Sequence, residues 1–495
     1  MRDAAGRQLM VASVPTAGRF PGGAGTLGFL RKRSDVWLAL AMGGIVALLI
    51  LSLPMPAALA SSIVGAFVLL ALVDTRVAVL ALILVRSAAD VTTTVPLLSA
   101  SGASNVNANA LMSLLVIALG LSHIALNRVD VRRIPLAVPF AAFVGVTFVG
   151  IAIAPDHNRA LQEWLRIVGT FMVFILCVDA MRTRPDRRWL IRVILLSSIV
   201  PLLAGVYQYA TDSGNNDTAG FNRIFGTFVH PSPYGFYLVQ LLPLAIVFLL
   251  HTRSRIARVG LAAMVPLMLF SIYSTQTRGA WIGVVVMLMV FMWTRARWTL
   301  LLVPLAVGAM YFGVPSIRAR VSEATSGTCV STQNCQSSVF WRQKQWKDAI
   351  RVASPPKLIT VGAGLSAVDV TLGNATHSEY VRLLVETGVL GCIAVFVLYR
   401  RLFDATLKGY REAPTSYERD LMLAFMAALL SRVVMAAADN ILDLVVIEWY
   451  FWAFAAVVVV ESGAYDRFAR LRERERRSAR PPRSAQGQAA PAAAR

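Results

Sequence analysis

The stretch Pro233-Tyr-Gly-Phe-Tyr-Leu-Val-Gln-Leu-Leu-Pro-Leu-Ala-Ile-Val-Phe-Leu-Leu250 carries no charged side chain, and it runs straight into His251-Thr-Arg-Ser-Arg-Ile-Ala-Arg258. A hydrocarbon layer about 30 Å thick is crossed by roughly 20 helical residues, so this segment reads as a transmembrane helix with a basic exit. Outward from it, apolar runs of similar length recur from Val36 to Val460. They lie at approximately 36–54, 57–73, 76–90, 107–126, 134–154, 164–181, 189–209, 259–275, 280–294, 298–314, 384–400, 420–438 and 444–461. The chain is 57% hydrophobic and 15% charged, which is too apolar for soluble domains. The expected fold is an all-α polytopic membrane protein with about 12 to 14 transmembrane helices. The range is left open because Ser52-Leu-Pro-Met-Pro-Ala-Ala58 fits either a tight turn or a kink within one helix.

The net charge of +21 sits in Arg31-Lys32-Arg33, Arg132-Arg133, Arg182 to Arg188, Arg253 to Arg258, Arg295/Arg297, Arg400-Arg401 and the tail Arg467–Arg483. With an inner N-terminus, all these groups fall in the cytoplasm, as the positive-inside rule requires. The charge is therefore a topology signal and an attraction to anionic headgroups, and nucleic acid is not an expected partner. Residues 1–35 read as a cytoplasmic tail without a signal-peptide core, and 36–314 as the main bundle. Residues 315–379 form one large extracytoplasmic loop, 380–461 the last helices, and 462–495 a basic, partly disordered cytoplasmic tail. Within the loop, Ser338 starts an amphipathic helix through about Val352 that suits the headgroup layer. Val361-Gly-Ala-Gly-Leu365 reads as a flexible turn. Cys329 and Cys335 have the spacing of a small disulfide-closed loop outside the cytoplasm, whereas Cys177 and Cys392 lie in apolar spans.

Against the charge bias, Arg159, Arg223 and Arg278 fall in short outer loops. Guanidinium is permanently charged and presents a planar fork, so Arg223 and Arg278 suit an anionic, phosphate-bearing substrate. Arg159 is expected to pair with Glu163, leaving Arg166 as a second-rank ligand. Arg86 with Asp90 reads as an i,i+4 pair, and Arg432 as part of a network with Asp439, Asp443 or Glu448. His377, in Asn374-Ala-Thr-His-Ser-Glu-Tyr380, lies on the same outer side and can accept a proton near neutrality. Glu379, Arg382 and Glu386 are close enough in sequence to orient it or an incoming hydroxyl.

At these residues the chain resembles the O-antigen ligase/polymerase superfamily, which includes lipid-A O-antigen ligases, Wzy-type polymerases and some O-linked oligosaccharyltransferases. The matching pieces are Arg223-Ile-Phe-Gly-Thr-Phe-Val-His-Pro-Ser-Pro, Thr277-Arg-Gly-Ala280, Arg342 with Trp346-Lys-Asp-Ala349, Gly362-Ala-Gly364, and His377-Ser-Glu-Tyr380 with Glu386-Thr-Gly388. They run in the family's order over roughly residues 160–400. Ser378 is a departure, since many members carry asparagine after the histidine.

The resemblance implies a C-type glycosyltransferase of the bacterial inner membrane, with its active site outside. It would take a glycan from undecaprenyl diphosphate, with inversion and with no metal or other cofactor. His377, Arg223 and Arg278 are its expected catalytic residues, and Arg166, Arg342, Glu379 and Arg382 its expected substrate ligands. The acceptor is a glycan in a polymerase, or a lipid or protein in a ligase. Arginine far outnumbers lysine and alanine is abundant, as in GC-rich genomes, which points toward lineages without lipopolysaccharide and so toward a polymerase. A lipid-linked-glycan flippase is the alternative from another class. It should place its charges in a central cavity, whereas the candidates here cluster at the outer face and no paired broken helices repeat along the chain.

Overall fold

The computed structural model describes residues 74–94, 96–98, 106–216, 222–295, 297–325, 338–353 and 355–463. The expected spans 36–54 and 57–73, the N-terminal tail, the Cys329/Cys335 pair and the tail beyond Gly463 lie outside these residues. Helix α1 (Thr75–Arg86) is followed by a two-stranded antiparallel ribbon of β1 (Pro96–Leu98) and β2 (Val106–Asn107). Helices α2 (Ala108–Leu126), α3 (Ala137–Ile153), α4 (His157–Ala180), α5 (Arg184–Leu196) and α6 (Ile199–Ala210) come next. A second antiparallel ribbon pairs β3 (Asn215–Asn216) with β4 (Asn222–Arg223). Then follow α7 (Pro231–His251), α8 (Arg255–Ser274), α9 (Arg278–Arg295), α10 (Leu302–Gly313) and α11 (Pro315–Thr325). Short α13 (Pro355–Ile359) and α14 (Ala367–Leu372) separate α12 (Ser338–Val352) from α15 (Glu379–Glu412), and α16 (Ser416–Met435) and α17 (Val445–Glu461) complete the order.

The protein is an all-α polytopic membrane protein. Helices α4, α7, α8, α9, α15 and the broken α5–α6 pair are each long and apolar enough to cross a membrane. Helix α10 and the turn before it meet α11 at 93°. Local chemistry sets the helix starts. Asp156 accepts from the Asn158 and Arg159 amides, Thr183 caps α5 ahead of Pro185, and His230 caps α7 ahead of Pro231.

Packing sorts the helices into a centre and a rim. Helix α17 is apolar all round and buried, with Trp449, Tyr450, Phe451 and Trp452 in the core. Phe140 and Phe174 close on Trp452, with the Phe140 and Trp452 ring centroids 4.5 Å apart, and Phe171 packs on Phe140. Helix α8 is only 17% buried across its apolar window against 72% for α7, so α8 belongs to the rim that lipid would cover.

The longest helix is broken. Gly388 in α15 has φ +63°, and an added Cβ there would collide with the Thr360 carbonyl. The Ala363 and Gly364 amides cap the Val385 and Glu386 carbonyls left exposed by the break, and the Leu390 amide donates to Thr360 O at 3.3 Å. Residues 361–365, expected as a loose turn, are thus a fitted clip on α15. Gly362 has φ +76° and would overlap the Glu386 carbonyl if it carried a side chain.

The ion pairs define one end of the bundle. Arg187 pairs with Glu461 at 2.7 Å, Arg184 with Glu418 at 3.3 Å, Arg295 with Asp420 at 2.6 Å, and Arg76 with Asp186 at 3.2 Å. Arginines from the clusters expected in the cytoplasm therefore meet at this end, which is rich in positive charge. The candidate site is at the other.

Candidate functional site

At that second end, Arg223 lies on β4, just before α7. Its Nε donates to the Thr275 carbonyl at 2.9 Å and its Nη2 to Thr277 Oγ1 at 3.3 Å. The Ile224 amide donates to Ser274 O at 3.3 Å, so the strand end is tied to the turn between α8 and α9. That turn holds Gln276 at φ +51° and delivers Arg278 as the first residue of α9. Two arginines 55 positions apart in sequence thus share one turn. The Arg278 Nη1 donates to the Arg320 carbonyl at 2.8 Å, and Arg320 Nε donates to the Gln276 carbonyl at 3.2 Å. Arg320, buried on α11, was not among the residues expected from sequence.

His377 sits at φ +49° immediately before α15, a conformation that costs a non-glycine residue of order 1 kcal/mol and is held by its surroundings. Those surroundings are specific. Thr376 Oγ1 and the Ser378 amide both donate to Asn440 Oδ1, at 2.8 and 3.0 Å, and the Glu379 amide donates to Ala436 O at 2.8 Å. The connection between α16 and α17 therefore lies against the histidine segment, and it contributes Asp439, whose Oδ1 is 3.2 Å from His377 Nδ1. Burial alone would raise the Asp439 carboxyl. The His377 hydrogen bond and charge, the Asn440 amide and Arg342 outweigh it and hold that carboxyl below the usual range. A carboxylate acceptor fixes the proton on Nδ1 and leaves Nε2 as the basic nitrogen of the 40% exposed side chain.

The connection that carries Asp439 also packs beside the turn that carries Arg278. Gly279 brings α9 close to Ala438, to which an added Cβ would approach within 3.3 Å. His230 responds to both Arg223 and His377. Desolvation first, then the Arg223 charge and His377, hold its imidazolium below the ordinary range, with Asp439 opposing. Helix α12 covers the same segment: Trp346 Nε1 donates to Thr376 O at 2.9 Å and Gln345 Nε2 to Asn374 O at 2.9 Å. The Trp341 ring centroid lies 5.5 Å from that of His377. Arg342 on the same helix is pushed down by burial and raised by Asp439, so it faces the same carboxylate.

The remaining expected ligands occupy other ground. Arg382 is buried and meets Glu163 at 2.9 Å, Glu379 at 3.3 Å, Glu386 at 3.7 Å, and Asp443. Glu379 also accepts from the Leu442 amide at 2.8 Å. These residues lock the start of α15 to α4 and to the α16–α17 connection. Asp439 is the carboxylate at His377 Nδ1, while Glu379, Arg382 and Glu386, expected from sequence to orient the histidine or an incoming hydroxyl, meet in a buried network of their own. Arg159 pairs with Asp156 at 3.7 Å rather than with Glu163, which is drawn to Arg382 and Ser366. Arg166 is exposed on α4, toward Arg86, and Arg86 pairs with Asp90 at 3.6 Å as expected. Arg432 takes Glu448 as its partner, which leaves Asp439 to the histidine and Asp443 to Arg382.

Residues 263–396 match the family model described as O-antigen ligase. This segment is an O-antigen ligase family domain. The match agrees with the resemblance carried by the sequence motifs and supports a glycan-transfer function of the O-antigen ligase/polymerase type. It contains Arg278, Arg320, Arg342, His377, Glu379 and Arg382, while Arg223 and Asp439 lie outside its bounds. A search of curated proteins finds no match to this chain.

Proposed function

We propose that this O-antigen ligase-type protein transfers a glycan from undecaprenyl diphosphate to an acceptor hydroxyl outside the cytoplasm of a bacterial inner membrane, with inversion. The observation that carries this reading is that Asp439, which holds His377, follows Ala438, and Ala438 packs on Gly279 beside Arg278, whose turn also anchors Arg223, at the bundle end opposite the basic clusters. By the positive-inside rule that basic end and both termini are cytoplasmic, which puts His377 outside.

His377 Nε2 takes the proton of the acceptor hydroxyl as its oxygen attacks the anomeric carbon. The bond from that carbon to the carrier phosphate oxygen breaks, and the electron pair leaves on the diphosphate. Arg223 and Arg278 stabilise the charge that develops there. Asp439 stabilises the imidazolium that forms and keeps its ring in place, as carboxylates do in hydrolase triads. Arg342 and Trp341 line the histidine side, where the acceptor would enter. Chain extension, a polymerase, is the favoured use of the site, supported by the composition alone.

Purified protein incubated with lipid-linked oligosaccharide should release carrier diphosphate and form one new glycosidic bond per carrier, with the anomeric configuration inverted by NMR. A ladder of lengthening products marks a polymerase, and a single transfer to lipid or protein marks a ligase. Movement of intact lipid-linked glycan across the bilayer with no carrier released would replace this reading with flipping.

A further inference from the structure

Among the described side chains of α11, Arg318, Ala319, Val321 and Ser322 are exposed, whereas Arg320 is buried. Its bonds are reciprocal with the turn that carries the anion-binding arginines. The side chain of Arg320 donates to the Gln276 carbonyl at 3.2 Å, and the main-chain carbonyl of Arg320 receives Arg278 Nη1 at 2.8 Å. A second clip lies one turn earlier, where Tyr273 Oη and Ser316 Oγ are 2.6 Å apart. Gln276 is in the left-handed region, so the turn needs outside support to keep that shape. Arg223 reads the same turn through Thr275 and Thr277.

We propose that Arg320 is a positioning residue for the diphosphate site. It holds the Gln276–Arg278 turn and, through its own carbonyl, aims the Arg278 guanidinium. The proposal rests on the reading of Arg223 and Arg278 as diphosphate ligands, and it makes α11 the brace of that pair.

The test uses the full-length protein in detergent and inorganic pyrophosphate as the probe, with binding followed by calorimetry and folding by thermal midpoint. Arg278→Ala and Arg320→Met should each weaken pyrophosphate binding about 10- to 100-fold, the scale of one charged hydrogen bond. If Arg320 acts through Arg278, Arg278→Ala/Arg320→Met should bind little worse than Arg278→Ala alone. Multiplied losses in the double variant, or wild-type binding by Arg320→Met, would overturn the proposal. A fall in thermal midpoint with full pyrophosphate affinity would also overturn it, since that is a purely structural role. Failure of the wild-type protein to bind pyrophosphate would instead remove the anion site, and the positioning role with it.

Discussion

His377 Nδ1 stands 3.2 Å from Asp439 Oδ1, across 62 positions of sequence, and Asn440 beside that aspartate accepts from the Thr376 hydroxyl and the Ser378 amide on either side of the histidine. The pair is fixed from two directions, with Trp341 against the ring. A base so placed has one defined tautomer and one open nitrogen. Asp439→Asn replaces the acceptor with an amide that can donate to Nδ1, which favours the proton on Nε2 and removes the base. Turnover should fall about 10²- to 10⁴-fold with donor binding kept. Near-normal turnover in this variant would show that Asp439 orients nothing of consequence.

The same aspartate gives a pH signature. Its folded-state pKa is depressed, so its contribution to stability is present above the unfolded carboxylate value near 3.9 and is lost as pH falls through the lower folded value. Thermal midpoints in detergent should therefore decline on acidification through that window, and Asp439→Asn should flatten the decline. An identical pH profile in the variant would remove Asp439 as its source.

Arg223 and Arg278 meet on one turn, and each is predicted to stabilise the leaving diphosphate. Alanine at either position should cost about 2–4 kcal/mol of transition-state stabilisation, or about 30- to 1,000-fold in rate. Lysine should rescue only in part, because it restores charge without the planar fork. Correctly inserted alanine variants with normal turnover would defeat the assignment.

Arg382 makes the opposite prediction. It neutralises a buried group of carboxylates, so Arg382→Leu should destabilise the fold by about 3–5 kcal/mol, as unpaired buried charges do. Solubilised yield and thermal midpoint are the readouts. A stable Arg382→Leu protein that has lost only pyrophosphate binding would return Arg382 to the substrate.

Much of this was legible in the sequence. Uncharged runs and their basic flanks located helices such as α7, α8 and α9 within a few residues, and the amphipathic pattern located α12 at Ser338–Val352. The arginines of the outer loops stood out because they oppose the charge bias. Asp439 and Arg320 did not. Asp439 lies among several acids near Arg432, and only the folded backbone shows that Glu448 satisfies Arg432. Arg320 has no local pattern to mark it, since its Nε donates to a main-chain carbonyl, Gln276 O. The break in α15 was hidden for a similar reason: Val389 and Leu390 lead straight from Gly388 into an apolar run, and hydropathy carries no record of its positive φ.

Sidedness underlies all of the chemistry. After replacement of Cys329 and Cys335, a cysteine at the exposed position Thr371 should label from intact cells with an impermeant maleimide, and one at Arg411 should not. The reverse pattern would place the site in the cytoplasm.

The central claim is that His377 is the base. Single-turnover transfer from lipid-linked oligosaccharide by His377→Gln, measured alongside donor binding, tests it most directly. Glutamine keeps a polar side chain but cannot take the proton, so the account predicts donor affinity close to wild type and almost no released carrier diphosphate. Wild-type turnover by His377→Gln would contradict it and leave the histidine an orienting residue.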